Sequence, residues 1–147
     1  MFTKKSINAV LSLGLILAGG AVIAKAQVID TIQATIPFKF QAGLAIFPAG
    51  TYTFRNIDPL VPAEMEIRSA DGRNAALFVV ESDQAKQAPE NSELIFDKNG
   101  DHYSLMNIFD GGSAYGDMVV AHNSSRKLAT IATAVEHVTV TATHAGM

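Results

Sequence analysis

Cysteine and tryptophan are absent from the 147 residues, and proline is scarce at 5. Without cysteine the chain has no disulfide framework, no thiolate metal site and no thiol nucleophile. Its fold must be held by packing alone. Basic residues are also in the minority, with 11 Lys and Arg against 14 Asp and Glu. No basic stripe is present, so the chain lacks the electrostatic footprint of a nucleic-acid binder and the polybasic patch of a lipid-surface binder. There is no internal repeat and no low-complexity tract.

The one long apolar run spans residues 7–23, behind Lys4 and Lys5. Ala24-Lys25-Ala26 follows with the small-x-small spacing that signal peptidase requires. Residues 1–26 therefore read as a signal peptide cleaved after Ala26, and residues 27–147 as a single β domain. An uncleaved anchoring helix is the rival reading, opposed by the Gly19-Gly20 break and the clean Ala-x-Ala site. With no cysteine after the run, a lipid-anchored N-terminus is excluded. The expected location is the periplasm or the exterior, with no stable membrane span after cleavage. Cleavage would leave 8 of the 11 bases against all 14 acids, a net charge of −6.

Beyond the leader, apolar residues recur with period two, the mark of strands with one buried face. Ile36, Phe38 and Phe40 share a parity, which Leu44 and Ile46 are expected to continue after Gly43. Pro48-Ala49-Gly50 reads as the corner of a hairpin leading to Thr51, Tyr52, Thr53 and Phe54. Met65 and Ile67 face one way, with Glu64, Glu66 and Arg68 facing the other, as far as the turn at 70–73. Residues 75–80 are continuously apolar and predict a strand covered on both faces. Residues 83–92 read as the longest loop. Strands at 94–96 and 103–109 flank Asn99-Gly100, a strong hairpin signal. A glycine loop then precedes a strand at 118–121.

Leu128, Ile131, Ala132 and Val135 have helical spacing, predicting at most one short helix near 125–135. Val138, Val140 and Ala142 alternate with threonines as a last strand. About eight short strands with intervening turns predict an all-β class, an antiparallel sandwich or small barrel. Its expected core is Phe38, Phe40, Tyr52, Phe54, Leu94, Phe96, Leu105, Val138 and Val140.

Taken together, Phe38 and Phe40, residues 47–52, residues 94–96, residues 100–105 and the glycine loop at 111–116 resemble a group of small exported proteins of environmental bacteria, notably acidobacteria. A Trp that members often carry after the Tyr-x-Leu strand is missing here. The resemblance implies an exported all-β domain and implies no particular activity.

Several stretches invite a chemical reading and fail it. Asp97-Lys98-Asn99-Gly100-Asp101 opens like a calcium loop, but His102 stands where glycine is required and Ile108 where the bidentate Glu should be. Residues 111–116 miss the glycine spacing of a nucleophile elbow, since Tyr115 follows Ser113 by two. Asp110 and Asp117 flank the same glycines and would repel a phosphate. A flexible loop is expected instead. His102, His122, His137 and His144 do not cluster in sequence, and Glu64 and Glu66 read as solvated carboxylates. No catalytic, cofactor-binding or metal-ligating residue is nominated. What remains is a non-catalytic module binding a protein, glycan or surface through its loops, a lipocalin-like carrier of a small apolar ligand, or, last, a hydrolase. An outer-membrane barrel is disfavoured by short strands and the lack of Trp girdles.

Overall fold

The computed structural model describes residues 31–58, 60, 63–120 and 135–145. The leader and the helix expected near 125–135 lie outside the described residues, apart from Val135, which stands in no helix or strand. Every element among the described residues is a β-strand: β1 (Thr31–Ile36), β2 (Phe40–Ala42), β3 (Ala45–Phe47), β4 (Gly50–Asn56), β5 (Glu64–Ser69), β6 (Ala75–Gln84), β7 (Glu93–Asn99), β8 (His102–Phe109), β9 (Tyr115–Val119), β10 (Glu136–Thr141) and β11 (Thr143–His144). The all-β class is thus seen, with eleven strands rather than about eight. The extra strands arise because residues 31–56 break three times, and because Ala142 divides the last strand.

The strands form one mixed sheet in the order β10-β7-β8-β9-β6-β5-β4-β1-β11, which is not closed. Off this path, β2 pairs antiparallel with β3 and parallel with β8 through Gln41 and Ser104. Two stretches of chain serve two neighbours in turn. The first half of β6, 75–79, pairs with β5, and its second half, 80–84, pairs with β9. In the same way residues 136–141 pair with β7 and residues 143–144 with β1.

Alternation decides which face of each strand is buried. Ile32, Ala34 and Ile36 on β1, Tyr52 and Phe54 on β4, Met65 and Ile67 on β5, and Phe78 and Val80 on β6 all enter one core. Phe40, Leu94, Phe96 and Leu105 join it, while Phe38, Val138 and Val140 pack against its edge half-buried. The aromatic centre is interlocked. Phe40 meets Tyr52 and Phe96 edge-on at 5.2 and 5.5 Å, and Phe38 stacks on Tyr103 at 3.9 Å.

Four expectations need correction. Parity does not carry through Gly43, because Gly43-Leu44 is a two-residue hairpin loop between Ala42 and Ala45. Gly43 takes φ +59 there, Leu44 and Ile46 turn outward, and Phe47 is buried instead. The Pro48-Ala49 corner joins no hairpin: β3 pairs with β2, while β4 pairs with β1 and β5. Residues 75–80 are covered on one face only, with Leu77 and Val79 exposed opposite Glu66 and Glu64. Lastly, β6 extends to Gln84 and β9 begins at Tyr115, because these stretches pair with each other.

Candidate functional site

At one end of the strands the positions that continue the core parity change from apolar to polar. On β4 the series Tyr52, Phe54 continues with Asn56, and on β6 the series Phe78, Val80 continues with Ser82. On β9 the residues on the face of buried Val119 are Asp117 and Tyr115. Register brings these side chains together, since Asp117 stands opposite Ser82 on one side and Ile108 on the other, and Asn56 stands opposite Met65. The result is a cavity of about 300 Å³. Ile32, Phe54, Met65 and Ile108 make its apolar floor, and Asn56, Ser82, Asp110, Tyr115 and Asp117 its polar wall.

Two features set this wall apart. Asn56 Oδ1 is fully buried and has no hydrogen-bond partner among the described residues. A buried acceptor left unpaired carries a desolvation penalty of about 1–3 kcal/mol. Burial also pushes the Asp117 carboxyl above the usual carboxylate value, and nearby Asp110 adds to the shift. A perturbed carboxyl in a cleft marks a functional-site candidate. The floor is rigid core, and each floor residue is at most 5% exposed. Ser82 and Tyr115 are exposed at the rim, where the cavity opens. Chemically the wall offers two carboxyls, Asp110 and Asp117, and three groups that can donate or accept, the Asn56 amide and the Ser82 and Tyr115 hydroxyls. Among the described residues no Lys, Arg or His lines it.

Gly116 makes room for this arrangement. A Cβ there would stand 2.4 Å from Ile108 O and from Phe109 Cδ1. The ring of Phe109, itself buried, therefore lies directly over the glycine.

The stretches singled out in the sequence go elsewhere. Residues 97–101 belong to the β7–β8 hairpin, whose two loop residues are Gly100 and Asp101 because Asn99 pairs with His102. His137 Nδ1 lies 2.8 Å from Asp97 Oδ1, a buried oxygen that makes no hydrogen bond among the described residues. His102 Nε2 lies 3.4 Å from Gln41 Oε1, His144 is exposed on β11, and His122 is outside the described residues. No three His, Asp or Glu come together as metal ligands among the described residues.

Glu66 accepts from Arg68 at 2.9 Å and Arg55 at 3.1 Å, and these bonds hold its carboxyl below the usual value. Glu64 is exposed beside them. The 110–113 loop is pinned: Gly111 N donates to Ser92 Oγ at 3.0 Å and Gly112 N to Pro89 O at 2.7 Å. Hydrogen bonds between these two loops replace the flexible loop that glycine content suggested.

Sequence reasoning missed the cavity residues, although a signal was present. Asn56, Ser82 and Asp117 sit at core parity and are polar. Compared with protein-family models, curated proteins and solved structures, the chain matches none.

Proposed function

We propose that this chain is an exported, non-catalytic β domain that holds one small ligand in the cavity walled by Asn56, Ser82, Asp110, Tyr115 and Asp117. The observation that carries the reading is a concave site in which a buried apolar floor meets a polar wall of Asn56, Ser82, Asp110, Tyr115 and Asp117. Small-molecule sites are concave, mostly apolar, and carry a few convergent polar groups, with volumes from roughly 300 Å³ upward. We further propose a barrel-like architecture. In its support, β6 passes from β5 to β9, and the C-terminal stretch passes from β7 to β1 across Ala142, whose N–H donates to Ser92 O. Strands that switch neighbours in this way make the corners of orthogonal packings, and small barrels of this kind enclose one ligand at the mouth. Export is supported by Lys4 and Lys5, the apolar run and Ala24-Lys25-Ala26. N-terminal sequencing of exported protein would then begin at Gln27.

Native mass spectrometry of the exported protein tests the reading. A retained small organic mass is expected, and Ser82→Phe, which plugs the exposed rim without touching the core, should lose it. A bare chain, or the same adduct in both proteins, would refute cavity binding.

A second reading is favoured by one observation. Leu44 and Ile46 on the β2–β3 hairpin are 77% and 57% exposed. They would suit a module that binds a protein, glycan or surface through its loops.

A further inference from the structure

Three places in the chain set an Asp or Asn directly before a glycine: Asp71-Gly72, Asn99-Gly100 and Asp110-Gly111. Such pairs share one spontaneous chemistry. The glycine nitrogen can attack the side-chain carbonyl carbon of the residue before it, because no Cβ crowds the approach and the glycine backbone turns freely. The reaction needs two groups to be free, the attacking N–H and the side chain attacked.

The fold ties down two of the three pairs. Asp71 Oδ1 accepts from Ser69 Oγ at 2.6 Å and from Arg73 N at 3.0 Å, while Gly72 N donates to Ser69 O at 2.9 Å. At the second pair, Gly111 N donates to Ser92 Oγ at 3.0 Å. Backbone atoms of residues 90–92 also stand 3.0 Å from the place a Cβ on Gly111 would take. A carboxylate, moreover, is a poorer electrophile than an amide.

Asn99 differs on each point. It is exposed at the end of β7, and its side-chain amide makes no hydrogen bond among the described residues. Gly100 N makes none among them either. Gly100 takes φ +63, and a Cβ built there would meet nothing within 4 Å, so the hairpin tip is uncrowded. Asn56, Asn74, Asn91 and Asn107 are each followed by a residue with a side chain.

We infer that Asn99 is a site of spontaneous deamidation, at which the β7–β8 turn acquires a carboxyl as the protein ages. Gly100 N bonds to Asn99 Cγ and gives up its proton, and the side-chain nitrogen leaves as ammonia. The cyclic imide then takes up one water, which opens it at either carbonyl. One opening leaves an ordinary aspartyl residue, the other an isoaspartyl residue whose main chain runs through the side-chain carbon. Water is the sole co-reactant. Both products add a negative charge between Asp97 and Asp101, and the isoaspartyl form lengthens the backbone at the Asn99–His102 pair.

Peptide mapping by mass spectrometry tests this on exported protein kept folded at neutral and at mildly alkaline pH. A urea-unfolded sample serves as the clock. By the time the unfolded chain has lost its Asn99 amide, the folded protein should have lost it too. The loss should be faster at the higher pH, because the attacking nitrogen must shed its proton. Asn74, Asn91 and Asn107 should keep their amides in the folded protein, and Asp71 and Asp110 should yield no isoaspartate. Asn99→Gln, which lengthens an exposed side chain, should abolish the change at that position. An Asn99 amide that persists in folded protein and is lost only in urea would overturn the inference, since the hairpin would then protect it. Equal loss at the other asparagines, or as much isoaspartate at Asp71 or Asp110, would overturn it as well.

Discussion

Tyr52 explains why its stretch of sequence looks like a motif. Its ring is 1% exposed, and its hydroxyl donates to Pro48 O at 2.6 Å, four residues back. The corner at Pro48-Ala49 is thus closed by the first inward side chain of the strand that follows, and burial raises the phenol above its ordinary value. Tyr52→Phe keeps the ring and removes the bond, so it should lower stability by about 0.5–1.5 kcal/mol. The lower end is expected because Pro48 is exposed and water can reach its carbonyl. Urea denaturation checks this, and an unchanged midpoint would mean the hydroxyl contributes nothing to the corner. A change of direction at Pro48-Ala49 was legible in the sequence, although it is a bend that joins no hairpin. The bond that ties it to Tyr52 was not, because it depends on β3 and β4 having different partners.

At the level of elements, period-two alternation placed Phe40, Tyr52, Phe54, Leu94, Phe96 and Leu105 in the core correctly, since one buried face suffices to set parity. It failed where the backbone resets the count. Gly43-Leu44 flips parity within two residues, and the continuous apolar run at 75–80 does not disclose that Leu77 and Val79 face outward. Ile32 and Ala34 were missed although they extend the parity of Ile36 backward. Strand partners are non-local and left no mark in local pattern, so neither the β6 switch nor the β8–β9 seat of Gly116 could be read in advance.

That seat is testable against the corner glycine. Gly116→Ala places a Cβ 2.4 Å from Ile108 O and should destabilise by about 1–3 kcal/mol or more. Gly50→Ala should be neutral or stabilise by up to about 1 kcal/mol, because φ is not positive at Gly50 and the nearest atom, in the Tyr52 ring, is 3.5 Å away. Denaturation midpoints in the reverse order would contradict the backbone positions described for β4 and β9.

For the whole molecule, the cavity trades stability for a site. Asp117 has a raised value when folded, so the native state keeps its proton to higher pH than the unfolded chain does. Its contribution is therefore fully present below the usual carboxylate value and is lost as pH rises through the folded value. Asp117→Asn avoids that loss. The variant should unfold at higher urea than wild type at about pH 7, and at the same urea at about pH 3, where both states of the wild type are protonated. A wild type that is the more stable at neutral pH would mean Asp117 is paired rather than poised. Such a penalty is a common mark of residues kept for function.

The most direct test of cavity binding is to map what the exported protein loses when stripped of bound small molecules. Amide chemical shifts of ¹⁵N-labelled protein would be compared as exported and after unfolding, dialysis and refolding. Binding in the cavity predicts differences concentrated at Asn56, Met65, Ser82, Ile108 and Asp117, with Leu44 and Ile46 unmoved. Identical spectra, or differences confined to the β2–β3 hairpin, would contradict it.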